Sequence, residues 1–330
     1  MKSGLRRELQ EALSRLYPGA RSETLPADAS TRRFHRLYLD GGGTRIVMDY
    51  GASFEGETDD VRLARIFEQA ALPVARVVDV VPEAGALILE DLGDETLERA
   101  LQSAGPDFAV REELYRSAVR LAAAIAKRGT PVLSGSDRAG GPALDAERFL
   151  FEMRFFLEHY VGNFLKRPEA ASALREPLEA LALGVAAHPR VLCHRDFHSR
   201  NIMVRPGGAL AMVDIQDARW GPDTYDLASL LRDAYVDLGE REVEELFDLF
   251  REELPGSPEL ASLRNRFNLV AAQRMIKALG TFGYQIAVMG KERYRSAIPR
   301  TSSRLSRLLP LDTQTLALAE AMRQAGLVTI

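Results

Sequence analysis

One cysteine in 330 residues, Cys193, leaves no partner for an intrachain disulfide. It lies in the apolar run Val191-Leu192-Cys193, where a thiol serves packing rather than nucleophilic attack. Lysine is almost as scarce: five of the 43 basic residues, and none from residue 3 to residue 126. Long apolar runs are missing too. The hydrophobic stretches are short and broken by charge, and the N-terminus lacks the apolar core of an export signal, so a cytoplasmic protein without a membrane partner is expected. No sign of charge dominates, since the formal net charge of -4 is spread along the chain, and nucleic-acid binding is not expected. Neither internal repeats nor low-complexity segments occur. What remains is an ordinary globular composition, 46% hydrophobic and 27% charged, long enough for two lobes.

Against this plain background one stretch stands out, His194-Arg195-Asp196-Phe197-His198-Ser199-Arg200-Asn201. It reads H-R-D-x-x-x-x-N, a pattern in which the aspartate accepts a hydroxyl proton and the asparagine holds a magnesium ion. Asp196 is thereby the candidate base and Asn201 a metal ligand. Downstream, Ile202-Met203-Val204 and Ala209-Leu210-Ala211-Met212-Val213 flank Arg205-Pro206-Gly207-Gly208, which predicts a short hairpin that returns Asp214 toward Asn201 as a second ligand. Phosphoryl transfer consists mostly of positioning and charge neutralisation, and hard cations take oxygen ligands, so one amide and one carboxylate leave room for phosphate oxygens and water. Any one of these short strings arises by chance; their combination at this spacing points to a phosphotransferase.

Asp214-Ile215-Gln216-Asp217-Ala218 and Gly221-Pro222-Asp223-Thr224-Tyr225-Asp226-Leu227 resemble the segment that follows the catalytic loop in aminoglycoside phosphotransferase-like kinases, the superfamily that includes choline kinase. D-F-G and A-P-E, which protein kinases carry here, are both missing. Within the superfamily the resemblance is closest to bacterial N-acetylmuramate/N-acetylglucosamine anomeric kinases. It is carried by Ala29-Ser30-Thr31-Arg32-Arg33-Phe34 with Ile46-Val47-Met48-Asp49, by Leu87-Ile88-Leu89-Glu90-Asp91-Leu92-Gly93-Asp94, by the catalytic stretch as far as Asp233, and by Gln273-Arg274-Met275-Ile276-Lys277-Ala278-Leu279-Gly280.

The resemblance implies an α+β, bilobal protein-kinase-like fold: a small antiparallel-sheet N-lobe for the nucleotide, residues 1–92, and a larger helical C-lobe, residues 93–330. It implies ATP and Mg²⁺ as cofactors and an amino sugar released in cell-wall recycling as the small-molecule partner, phosphorylated at C1. Glu90 and Leu92, in the connection between lobes, would present backbone groups to the adenine. Asp226 would brace the catalytic loop and His194 orient it. Other acceptors in the superfamily, such as aminoglycosides, choline, homoserine or another sugar, stay open, as does a catalytically silent nucleotide-binding module.

The resemblance also exposes a gap, because the third strand has Met48 where such folds place a phosphate-binding lysine. Arg32 or Arg33, in the loop before a strand, is expected to grip the phosphates instead, since a guanidinium fork matches phosphate bidentately. Arg45 alternates onto the other strand face. Acceptor contacts are expected among His198, Gln216, Asp217, Arg232, Asp233, Arg274 and Lys277. Arg274 and Lys277, three apart on a predicted helix, would suit the lactyl carboxylate of N-acetylmuramate.

The periodicity predicts a first helix with Leu5, Leu9, Leu13 and Leu16 on one face, a hairpin turning at Asp40-Gly41-Gly42-Gly43, a helix over 57–70 and strands over 76–81 and 86–89. Helices are then expected over 111–128, 145–164, 169–187, 225–237, 240–253, 259–281, 301–309 and 313–325, with a Gly, Ser and Pro-rich loop from Gly129 to Pro142.

Overall fold

The computed structural model describes residues 4–26, 32–105, 107–136, 138, 140–233, 235–236 and 238–327, with the backbone alone at Phe108. Ala29, Ser30 and Thr31 lie outside the described residues. Along the chain the elements are α1 (Arg7–Leu16), β1 (Arg21–Thr24), β2 (Arg33–Tyr38), β3 (Thr44–Asp49), α2 (Asp59–Gln69), β4 (Val77–Val81) and β5 (Ala86–Glu90). Next come α3 (Leu97–Ala104), α4 (Phe108–Ala124), α5 (Thr130–Ser134), α6 (Ala146–Phe156), α7 (Ala171–Ala186) and β6 (Arg190–Cys193). The short strands β7 (Ile202–Val204), β8 (Leu210–Met212) and β9 (Arg219–Pro222) precede α8 (Tyr225–Leu231), α9 (Glu240–Glu253), α10 (Leu260–Ala287), α11 (Ile298–Leu308) and α12 (Leu316–Gln324).

Two compact units result: Met1–Glu95 with Met203–Gln216, and Thr96–Ile202 with Asp217–Ile330. The first carries an antiparallel sheet in the order β1-β2-β3-β5-β4. Its two faces follow from strand alternation. Leu37, Val47 and Ile88 point one way and bury Leu9, Ala12 and Leu13 of α1 against them, so the helix predicted from leucine spacing packs as an amphipathic cover. Leu16, counted on that face, is 43% exposed, because the helix ends there. The other face carries Phe34, Arg36, Ile46, Met48, Leu87 and Leu89, which are cross-strand neighbours.

The hairpin of β7 and β8 belongs to this first unit, whereas a division after residue 92 gives it to the second. Met212 bridges Val74, the Ala75 N–H donates to the Met212 carbonyl at 3.2 Å, and Val204 N–H reaches Glu95 O at 2.8 Å. Leu92, Met203 and Ala211 bury one another there.

The second unit is mostly helical, centred on α10, with β6 and β9 paired antiparallel. Cys193 is fully buried, its Sγ 3.4 Å from Pro222 O, and burial pushes the thiol well above its ordinary range. It packs. Asp145 caps α6 by accepting from the Arg148 N–H. Beyond Phe156 that helix widens into π turns over Leu157–Phe164, and α10 passes very close to it. Added Cβ atoms at Gly283 and Gly280 would lie 2.6 Å from His159 O and 2.9 Å from Phe156 Cα, so only glycine allows the approach. The predicted loop after Gly129 contains α5, and α10 runs six residues past its expected end.

Candidate functional site

In the second unit, β6 ends at Cys193 and the chain enters the loop that carries Asp196. Asp226, on the first turn of α8, accepts from the backbone N–H of His194 at 2.7 Å and of Arg195 at 3.0 Å. Arg195 has φ +79°, a left-handed conformation that such paired acceptance fixes. Farther along, Asp233 takes the Ser199 N–H at 2.9 Å and its hydroxyl at 2.5 Å, while its other oxygen accepts from Tyr235 N. Arg274 donates to Arg195 O at 3.0 Å and lies over the Tyr225 ring. Three side chains from α8, the segment after it and α10 therefore fix this loop.

Asn201 donates its amide Nδ2 to Asp196 O at 3.0 Å. The bond orients the amide so that its oxygen is the end with metal-ligand chemistry. The Asp196 carboxylate is opposed by burial, yet the charges of Lys277, Arg195 and Arg274 outweigh that penalty and hold it well below the usual carboxylate range. Lys277 Nζ stands 3.9 Å from Asp196 Oδ1 and also 3.9 Å from Glu152 Oε1. Asp196 is thus ionised at neutral pH and can only accept hydrogen bonds. Burial lowers His198, whose ring meets Tyr235 edge-on.

Among the acceptor candidates, Lys277 stands beside Asp196. Asp217 is tied to Arg195 at 2.8 Å and Arg219 at 2.6 Å. Arg232 is directed elsewhere, gripping Glu240 through both terminal nitrogens at 2.8 and 2.9 Å. Asp233 and Arg274 are occupied with the loop backbone. Sequence reasoning missed Glu152, a buried carboxylate on α6 that accepts from Gln273 at 2.7 Å and from Arg148 at 3.2 Å. An i,i+4 Arg148 and Glu152 pair was visible in the sequence, hidden by the aromatic residues around it.

In the first unit, Arg32 lies beside Met48. Its guanidinium donates to Asp60 of α2 at 2.8 Å and lies 3.7 Å from the Met48 sulfur, with the Tyr50 ring below it. Tyr50 in turn donates to Asp60 at 2.6 Å. Arg33 is exposed. The carboxylate at the start of α2 that holds Arg32 was not singled out from sequence, because acidic residues at helix N-termini are common.

Glu90 pairs with Arg76 and Arg205, and Leu92 is buried against the hairpin. Both line a cavity of about 620 Å³ together with Arg36, Asp91, Asp94 and Arg205. Arg36 forks onto Asp91 at 2.7 and 3.1 Å and onto Asp94 at 2.9 and 3.0 Å, tying this segment to β2. Asp214 has φ +65°, and Gln216 Nε2 donates to its carboxylate at 2.7 Å. Among the described residues no group of three or more His, Cys, Asp or Glu could hold an ion alone. One amide and one carboxylate with phosphate oxygens do not need such a group.

The loop chemistry and the architecture define a phosphotransferase, and comparison with known proteins agrees. The model of the phosphotransferase enzyme family matches residues 22–263, and the chain belongs to that family. A relative from Neisseria meningitidis serogroup B, named N-acetylmuramate/N-acetylglucosamine kinase, is 29% identical over 294 residues, covering 86% of this chain and 84% of the relative. Among solved structures, choline kinase from Cryptosporidium parvum matches with TM-score 0.60 at 13% identity, over 94% of this chain and 98% of that one. An amicoumacin kinase in complex with AMP-PNP, Ca²⁺ and Ami matches with TM-score 0.60 at 14% identity, over 87% of this chain and 91% of that one. The antiparallel sheet and helical body are the kinase-like fold these proteins share. Among the described residues no helix is long and apolar enough to cross a membrane.

Proposed function

We propose that the chain is an ATP-dependent sugar kinase that phosphorylates the C1 hydroxyl of N-acetylmuramate or N-acetylglucosamine, in the cytoplasm, during recycling of cell-wall amino sugars. The observation that carries the reading is Asp196, an ionised carboxylate beside Lys277 in a loop held by Asp226. It would accept the hydroxyl proton as the oxygen attacks the γ-phosphate in line. Relatives bearing the amino-sugar name over most of the chain support the acceptor.

Asn201 and Asp214 are the residues that would hold Mg²⁺. Their hard oxygen donors fit that ion, and when bound it would neutralise charge on the phosphates. Glu90 and Leu92 would offer backbone groups to the base. Arg32 would meet the phosphates in place of the strand lysine, held for that task by Asp60. Arg32→Ala is therefore expected to lower kcat/KM for ATP by about two orders of magnitude, and Arg33→Ala to change it by less than about twofold, read by steady-state kinetics. Equal effects at the two positions would remove the assignment.

The test of the function is to incubate the purified chain with Mg-ATP and N-acetylmuramate, N-acetylglucosamine, choline and an aminoglycoside. Alkali-labile phosphate at C1 of an amino sugar is the expected product. Phosphate on a different acceptor alone would replace this reading by another kinase of the family. Nucleotide binding without any product would favour a silent module.

A further inference from the structure

In the sheet of the first unit, one arginine reaches past its own neighbours. Arg36 of β2 stands opposite Ile46 of β3, and Ile46 opposite Leu89 of β5, so these three side chains share a face. Alternation puts Asp91, just beyond the end of β5, on that face too. Paired strands lie about 5 Å apart, so the Arg36 guanidinium crosses the width of β3 to fork onto Asp91 and Asp94. It also donates to Gly93 O at 3.4 Å. The knot is sheltered: the Arg36 side chain is 13% exposed and that of Asp91 5%.

The segment that Arg36 grips is fixed from two further directions. The Gly93 N–H donates to the Asp91 carboxylate at 2.9 Å, closing a turn that Gly93 completes at φ +88°, where a side chain would be strained. Leu92 is buried with Met203 and Ala211 of the hairpin. Beside the knot, half-buried Phe34, Ile46 and Leu89 form an apolar shelf on the same face. Stability alone does not call for such a knot, because apolar residues of similar volume hold a core as well as buried ions do. What a forked guanidinium adds is geometry. Its partners belong to one short connection, so the geometry it sets is that of the backbone over residues 90–94.

We infer that Arg36 is a positioning residue for the purine ring: through Asp91 and Asp94 it holds residues 90–94 in one backbone shape beside the apolar shelf, and that fixed shape selects adenine over guanine. Adenine offers an amino donor next to a ring-nitrogen acceptor, whereas guanine offers a carbonyl acceptor next to a ring N–H donor. A carbonyl and an N–H held in place match the first and oppose the second, and a loosened segment adapts to either. The inference rests on the kinase reading above and adds base selectivity, set by a residue that acts through two carboxylates.

Binding of AMP-PNP and GMP-PNP with Mg²⁺, measured by isothermal titration calorimetry without an acceptor, tests this apart from turnover. The wild-type chain is expected to bind AMP-PNP at least about tenfold more tightly than GMP-PNP. Arg36→Lys keeps a cation for the buried Asp91 but loses the fork. It is expected to weaken AMP-PNP by about tenfold and to bring the two analogues within about threefold of each other. Asp91→Asn, which retains an acceptor for the Gly93 N–H, is expected to narrow the ratio in the same direction. Arg7→Met, which removes an exposed partner of Glu11 on α1, leaves both affinities unchanged. Circular dichroism verifies the fold of each variant, and Asp91→Asn alone decides if Arg36→Lys does not fold. A merely structural arginine would lower the unfolding temperature without moving the ratio. Equal affinities of the wild-type chain for the two analogues, or a wild-type ratio in the folded variants, overturns the inference and leaves a kinase standing. Absence of binding of either analogue to the wild-type chain overturns the kinase reading and this inference together.

Discussion

Asp196→Asn is expected to lower kcat by about two to four orders of magnitude while leaving KM for ATP near its wild-type value. The amide keeps the shape of the carboxylate but loses the basic oxygen. Asn201 binds the Asp196 backbone carbonyl, a bond that the substitution leaves in place. The wild-type carboxylate also stands among cations that keep it ionised, so no pH near neutrality restores the function in the variant. Single-turnover kinetics with saturating ATP and acceptor isolate the chemical step. A variant with more than about a tenth of wild-type kcat would remove Asp196 from the role of base.

Asp226→Ala should damage both turnover and stability. The carboxylate is buried, and its two oxygens serve the N–H groups of His194 and Arg195 at 2.7 and 3.0 Å. Deleting it orphans two donors inside the protein, each worth about 1–3 kcal/mol, and frees Arg195 from a φ of +79°. A loss of about 2–5 kcal/mol in denaturant unfolding is expected, together with a fall in kcat, because the backbone carrying Asp196 relaxes. Asp226→Asn retains one acceptor oxygen and should fall between wild type and Asp226→Ala on both scales. Should Asp226→Ala unfold like wild type, the brace is not what shapes the loop. The contrast between the two positions separates a group that acts on the hydroxyl from one that holds the loop.

The elements that sequence made visible are those whose signal is local. The hairpin at Asp40-Gly41-Gly42-Gly43 and the helix over 240–253 rest on turn chemistry and amphipathic spacing, and the structure has β2, β3 and α9 there. The β7 and β8 hairpin was equally legible from Arg205-Pro206-Gly207-Gly208. The strands β1 and β9 were not, because four-residue strands such as Arg21–Thr24 and Arg219–Pro222 carry no period of their own and exist by pairing with distant partners. The helix predicted over 225–237 ends at Leu231, where Arg232 turns to Glu240 and Asp233 turns back to Ser199. Those are tertiary demands that override helix propensity.

The same division holds for the site. The proposed catalytic loop, His194 to Asn201, is a contiguous string, whereas Glu152, Gln273 and Asp60 meet partners far away in the chain: Glu152 and Gln273 are separated by 121 positions, Arg32 and Asp60 by 28. Helical spacing showed that Arg274 and Lys277 share a face, but not that the first would be absorbed by a loop carbonyl while the second stands beside Asp196.

Scarcity of lysine gives that last residue a practical value. A chain with only five side-chain amines yields a sparse map when acylated by an amine-selective reagent, and Lys277, with about a fifth of its side chain accessible, contributes one identifiable peptide to it. Its labelling rate is a reporter of what occupies the floor of the helical body beside Asp196, readable by mass spectrometry without catalysis and without altering a single residue.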